Sequence, residues 1–273
     1  MKRSSWGFGQ IVLLSLHVSL TTAFSDSILQ ILPENSGSSP HHRHRHRKIP
    51  RDDNLYCDSW RFVVEANDVG PWARIPSRCV AFVQDYVTND RYRADSEAVA
   101  DASLEFAKTV KVSGNGKDAW VFDIDETLLS NVPYYAVHGF GCGHRSETFD
   151  ENSFDEWVDL AEAPALPASL RLYKELEQLG FKISLLTGRT EFQRSATSKN
   201  LDYAGYSNWE RLILRGPSDH GKPATVYKSE RRKELEDEGY VIHGSSGDQW
   251  SDLNGFAVAE RSFKLPNPLY YIA

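Results

Sequence analysis

The sequence predicts an α/β fold, a largely parallel sheet flanked by helices, with a mainly helical N-terminal segment ahead of it. Two observations carry this. From residue 119 onwards short apolar runs alternate with amphipathic stretches at helical spacing, and strands alternating with helices imply right-handed crossovers. Three of the apolar runs also end in polar residues rather than plain turns: at Asp123 and Asp125, at Thr187, and ahead of Asp248 and Asp252. Sheets of this kind bind ligands beyond the carboxyl ends of their strands. A length of 273 residues holds one sizeable domain with attachments. The net charge of −7 argues against general nucleic-acid binding, which favours a basic face.

The chain opens with an address. Lys2 and Arg3 precede an apolar run over residues 11–20, and the small residues Thr21, Thr22 and Ala23 follow, which is the pattern of a secretory signal peptide over residues 1–23. The run is too short to span a bilayer, which takes about 20 apolar residues. Residues 24–54 read as a disordered linker, rich in Gly, Ser and Pro and then in His and Arg over residues 41–48. A metal-binding or acid-sensing role for that run is the less favoured reading, because no carboxylates accompany it.

A globular domain is expected over residues 55–273. Cys57 and Cys79 can pair as a disulfide in an exported protein, which leaves Cys142 free or paired between chains; spacing does not decide the connectivity. Residues 80–111 carry helical apolar spacing, and Ser113-Gly114-Asn115-Gly116 ends it. Residues 119–122 then form the first strand. Its side-chain period of two lets Asp123 and Asp125 leave the carboxyl end on one side. Two like charges so close separate their pKa values, as a nucleophile with an acid/base partner requires.

Residues 133–167 form a short aromatic insertion after this strand, either a flap over a site or packing beneath a helix. Gly139-Phe140-Gly141-Cys142-Gly143 lacks the strand and helix that a phosphate loop needs, and no P-loop kinase sequence occurs. Residues 169–179 read as a helix stopped by Gly180, residues 181–186 as a strand running into Thr187-Gly188-Arg189, and residues 191–203 as a helix. A strand follows at 212–214, a charged helix at 228–238, a strand at 240–243, and a last strand at 256–259. Lys228 lies on that charged helix, with Lys222 as a competitor for its role.

Four carboxylates, a hydroxyl and a lysine at one sheet edge suit a phosphate and a hard divalent cation. Magnesium takes oxygen ligands, usually one or two carboxylates plus the phosphate, and without a cation the carboxylates would repel the phosphate. Each residue alone has an ordinary explanation, such as acids at a helix start for Asp248 and Asp252. Their joint occurrence in order at strand ends does not.

Phe122-Asp123-Ile124-Asp125-Glu126-Thr127, Leu185-Leu186-Thr187-Gly188-Arg189, Tyr227-Lys228-Ser229 and Gly247-Asp248-Gln249-Trp250-Ser251-Asp252 together resemble the haloacid dehalogenase (HAD) superfamily, and within it the plant class B acid phosphatases and vegetative storage proteins. Tyr56-Cys57-Asp58-Ser59-Trp60 is similar to the amino-terminal signature of that subgroup. The resemblance implies a HAD-like, Rossmann-like sheet and an acid phosphatase acting on phosphate monoesters through an aspartyl-phosphate. It implies Asp123 as nucleophile, Asp125 as acid and base, and Thr187 and Lys228 as holders of the phosphoryl oxygens, with Gly188 and Arg189 completing the phosphate-binding turn. It implies Mg2+ held by Asp123, Asp248, the backbone carbonyl of Asp125 and, directly or through water, Asp252.

The expected partner is a small phosphate ester, with a homodimer as one option and neither nucleic acid nor, once the leader is removed, membrane. The resemblance also leaves open a storage role as a nitrogen reserve, although some storage members lack the nucleophilic aspartate that this chain keeps. A dehalogenase attacking carbon is disfavoured by the lysine and the paired acids. The secretory pathway leads to the extracellular space or the vacuole.

Overall fold

The computed structural model describes residues 53–141 and 150–273. The signal peptide, almost all of the linker with its His/Arg run, and Cys142 lie outside the described residues. Helix α1 (Asp53–Glu65) takes in Asp53 and Asn54, which the sequence assigns to the linker.

The helical pattern over 80–111 forms α2 (Val80–Thr88) and α3 (Asp90–Thr109), divided at Asn89, which is extended. Strand β1 (Asp118–Phe122) follows. The described residues of the insertion include α4 (Val132–Val137) and α5 (Glu151–Leu160), the latter carrying Phe154, Trp157 and Leu160 and capped by the Asp150 carboxylate on Asn152 N–H. After α6 (Pro167–Leu179), closed by left-handed Gly180, come β2 (Lys182–Thr190), α7 (Arg194–Ala204) and β3 (Arg211–Arg215). The chain then forms α8 (Ala224–Asp237), which starts a turn earlier than its charged stretch, β4 (Val241–Gly247), α9 (Trp250–Leu253) and β5 (Arg261–Lys264).

All five strands are parallel, in the order β3-β2-β1-β4-β5. The chain builds outward from β1 on one side and then returns to build β4 and β5 on the other, so the carboxyl end of β1 stands at a topological switch point. Side-chain alternation splits the core. Trp120 and Phe122 join Ile183 and Leu185 against Leu104 of α3 and Leu172 and Leu176 of α6. Ala119 and Val121 face Tyr227 and Leu235 of α8 on the other side. Gly244 is required where β4 passes Trp120, since a Cβ there would sit 2.5 Å from the indole ring.

The last strand is displaced from the predicted 256–259 to β5. Phe256 and Val258 remain exposed, and the pairing is set by the backbone, with Glu260 N–H on Ile242 O at 3.0 Å and Gly244 opposite Arg261. Apolar composition is a weak guide at a sheet edge, where charged residues such as Arg261 and Lys264 discourage further pairing. A third apolar cluster packs α1 and α2 against Leu269 of the C-terminal segment, and Cys57 and Cys79 are joined there in a disulfide.

Candidate active site

The site begins where β1 ends. Asp123 N–H donates to Ser246 O of β4 at 3.0 Å, so the first acidic residue is still fixed by the sheet. The chain then turns sharply: the N–H groups of Thr127, Leu128 and Leu129 converge on Ile124 O, and Glu126 adopts a left-handed φ of 52°. Such a conformation is costly for a residue with a Cβ and needs local support. Glu126 receives it from the N–H and Nδ2 of Asn131 and from the Tyr270 hydroxyl.

Asp123, Asp248 and Asp252 are all buried, and one carboxylate oxygen of each lies within 4.8 Å of the others. Lys228 extends from α8 into this cluster, with Nζ 2.6 Å from Asp123 Oδ1 and a second hydrogen bond to Asp252 Oδ1. Asp252 Oδ2 accepts from Gln249 N–H at 2.9 Å, which fixes the turn at the start of α9. Among the described residues Asp248 accepts from neutral donors: Thr127 Oγ1, Gln249 Nε2 and, at 2.6 Å, Asn267 Nδ2.

Three carboxylates thus face one ammonium. Burial, and then the like charge of Asp252, push the Asp123 carboxyl well above the usual carboxylate range against the pull of Lys228. Burial and Asp252 likewise push Asp248 up to about 7. Burial works against the Lys228 ammonium, but Asp123 and Asp252 overrule it and hold it above the ordinary lysine value. A buried oxygen cage with unneutralised negative charge fits a hard divalent cation. Lys222, the competitor, is engaged elsewhere, with Asp219 and Glu230.

Asp125 sits apart from this cluster. Arg189 grips it with Nε and Nη2, the latter 2.7 Å from Oδ1, and Asn131 Nδ2 donates to the same oxygen at 2.8 Å. Burial would raise the Asp125 carboxyl, but the Arg189 guanidinium and these hydrogen bonds hold it below its usual range. Glu126 next to it, buried and beside that charge, is pushed up to about 7.

Thr187 is fully buried and lies within β2 rather than beyond its end, in the stretch where pairing with β3 lapses between Leu186 and Thr190. Its Oγ1 accepts from Arg189 N–H at 3.1 Å. Gly188 is exposed, with open space where a Cβ would stand. The Arg189 guanidinium, grouped by sequence with the phosphate-binding turn, is divided between Asp125 and, through Nη1, Thr197 Oγ1. Apart from Arg189, the sequence gives no sign of the groups around Asp125 and Glu126: Asn131 is a single amide in a loop, Trp157 reaches it from the insertion, and Tyr270 reaches Glu126 from near the chain end.

A parallel sheet with paired aspartates leaving its central strand, and a lysine and an acidic turn from the strands and helix beside it, defines an α/β enzyme of the HAD superfamily. The chain belongs to its subfamily IIIB, the acid phosphatases, whose family model matches residues 44–273. It is 53% identical over 220 residues to Acid phosphatase 1 of Solanum lycopersicum, covering 81% of this chain and 85% of that protein. Vegetative storage protein 2 of Arabidopsis thaliana is 38% identical over 218 residues, 79% of this chain and 80% of the relative. Among solved structures, the Class C acid phosphatase from Bacillus anthracis superposes with a TM-score of 0.58 at 26% identity, over 70% of this chain and 85% of that one. A second structure of that enzyme, with tungstate bound, gives a TM-score of 0.55 at 26% identity over the same shares.

Proposed function

We propose that the protein is a magnesium-dependent acid phosphatase that hydrolyses phosphate monoesters through an aspartyl-phosphate on Asp123. The observation that carries this reading is the meeting of Asp123, Lys228, Asp248 and Asp252 in one buried cluster at the switch point of the sheet.

A carboxylate oxygen of Asp123 attacks phosphorus, and the bond from phosphorus to the ester oxygen breaks. Lys228 Nζ and Thr187 Oγ1 hold the phosphoryl oxygens, since phosphoryl transfer depends mainly on positioning and charge stabilisation. An arriving phosphate adds like charge beside Asp125, which raises its proton affinity, and Asp125 protonates the departing alkoxide. Asp125 then accepts a proton from the water that attacks the phosphorus of the aspartyl-phosphate, releasing phosphate and restoring Asp123. Asp123, Asp248 and the Asp125 carbonyl, with Asp252 alongside, would hold Mg2+, which would supply charge neutralisation between nucleophile and phosphate. The tungstate in the Bacillus anthracis relative supports a site for a tetrahedral oxyanion.

The storage reading is kept as the alternative, because vegetative storage proteins are among the relatives. Retention of Asp123 favours the enzyme. We assign residues 1–23 to a cleaved signal peptide, the stretch from residue 24 to the start of α1 to a linker, and the mature protein to the extracellular space or vacuole. No described helix is long and apolar enough to cross a membrane. Turnover of an aryl phosphate at mildly acidic pH tests the function, run with magnesium, with chelator and with Asp123→Asn. Activity that requires both the metal and Asp123 is the expected result. Equal, negligible turnover by wild type and variant would move the assignment to storage.

A further inference from the structure

We propose that Asn131 is a positioning residue that commits one oxygen of Asp125, Oδ2, to proton transfer. The inference rests on the reading of Asp125 as acid and base. Asn131 is fully buried, and every polar atom that its side chain offers is engaged. Its Oδ1 accepts from Trp157 Nε1 at 2.8 Å. An indole nitrogen only donates, so this contact fixes which way the amide faces and forces Nδ2 towards the carboxylates. The Asn131 backbone N–H donates to Glu126 Oε1 at 2.5 Å, and Nδ2 reaches Glu126 Oε2 at 3.3 Å and Asp125 Oδ1 at 2.8 Å. Glu126 is itself held by the Tyr270 hydroxyl. The amide is therefore clamped by the insertion helix α5 on one side and by the C-terminal segment, through Glu126, on the other.

The two oxygens of Asp125 are unequal as a result. Oδ1 accepts from Asn131 Nδ2, from Arg189 Nη2 at 2.7 Å and from Arg189 Nε at 3.2 Å. Among the described residues Oδ2 has Arg189 Nε alone, at 3.1 Å. A carboxylate oxygen has about two lone-pair sites. Oδ1 is saturated, and Oδ2 is the oxygen that can carry a proton to the leaving group and later take one from water. Without Asn131 the two oxygens become closer to equivalent, and the proton is less strictly confined to Oδ2. Arg189 alone makes a weaker distinction: its Nη2 bonds Oδ1, but its Nε touches both oxygens, and the Asn131 amide adds a further donor to Oδ1 only.

The test compares kcat/KM for two esters, p-nitrophenyl phosphate and an alkyl phosphate, in wild type, Asn131→Ala and Trp157→Phe. A nitrophenolate leaves without a proton and an alkoxide does not, and kcat/KM reports the step in which the leaving group departs. Asn131→Ala is expected to lower kcat/KM about 100-fold for the alkyl ester and less than about 10-fold for the aryl ester, within the range of general acid catalysis. Trp157→Phe keeps an aromatic ring but removes the N–H, and is expected to shift the same ratio in the same direction by less. In an active protein, an equal loss on both esters, or no loss, in the folded variants would overturn the inference alone. A wild type inactive on both esters would overturn the phosphatase reading and this inference with it.

Discussion

Lys228 Nζ lies 2.6 Å from Asp123 Oδ1 and is bonded to Asp252 as well, so one ammonium serves two buried carboxylates while Asp248, among the described residues, accepts from neutral donors. The cluster is thus a store of repulsion that the reaction needs and the fold tolerates. Asp123→Asn removes one of the like charges and leaves the Lys228–Asp252 pair in place. In chelator the variant is expected to be more stable than wild type by about 0.5–2 kcal/mol, the usual gain when a strained active site is relieved, with turnover lost. Urea unfolding in chelator and in magnesium checks this. The gain should shrink in magnesium, where wild type recovers charge balance. An Asp123→Asn protein less stable than wild type in chelator would mean that Lys228 suffices to neutralise the cluster.

A second ion cluster ties the opposite end of the sheet. His243 of β4 places Nε2 2.9 Å from Asp118 Oδ1 of β1 and Nδ1 2.8 Å from Glu260 Oε2, just before β5. Only an imidazolium donates from both nitrogens. Burial opposes that charge, but the bonds to Glu260 and Asp118 prevail and raise His243 above its ordinary value of 6.5. The Ser113 hydroxyl, despite burial, and then His243 lower Asp118 from its ordinary 3.8. A raised histidine stabilises fully below its unfolded value, and the effect is lost as pH rises through the folded one. A lowered aspartate stabilises above its unfolded value, and the effect is lost as pH falls through the folded one. The two therefore overlap in mildly acidic solution. His243→Gln should cost more at about pH 5.5 than at about pH 8.5, by less than about 1 kcal/mol because Glu260 is half in water. Denaturant midpoints at the two pH values measure it, and an equal cost at both would show that the ring is neutral throughout.

The parts of the site that follow from local pattern were legible in the sequence. Asp123 stands one residue beyond β1, as the strand pattern leads one to expect, and Asp248 and Asp252 stand at the turn after β4; Asp125 lies past the turn on Ile124 and apart from that cluster, which the strand period does not convey. Lys228 is preferred over Lys222 in the sequence only through the resemblance carried by Tyr227-Lys228-Ser229; the physical reason is packing, which pairs Lys222 with Asp219 and Glu230 and directs Lys228 to Asp123. Asn131 and Tyr270 were not legible at all. Tyr270 meets Glu126 across 144 residues of chain, and no periodicity encodes such a contact. The misplaced last strand has the same cause, since the register of β5 comes from backbone pairing with β4 rather than from its own composition.

The longest of these connections leads from the disulfide to the candidate metal cluster. Cys57, bonded to Cys79, lies in α1, and α1 ends at Glu65. Glu65 Oε1 accepts from Asn267 N–H at 2.8 Å and Oε2 from Lys264 Nζ at 2.7 Å, while its carbonyl accepts from Trp250 Nε1. Asn267 in turn donates to Asp248. Replacing both cysteines by serine opens a loop with a sequence separation of 22, and loop entropy puts the loss of stability at about 3 kcal/mol. If α1 also holds Asn267 in place, magnesium affinity measured by calorimetry should weaken in the same variant, and in Glu65→Ala with its disulfide intact. A large loss of stability with unchanged affinity in both variants would show that Asp248 is positioned by its own turn, through Gln249 and Thr127, and that α1 serves the fold alone.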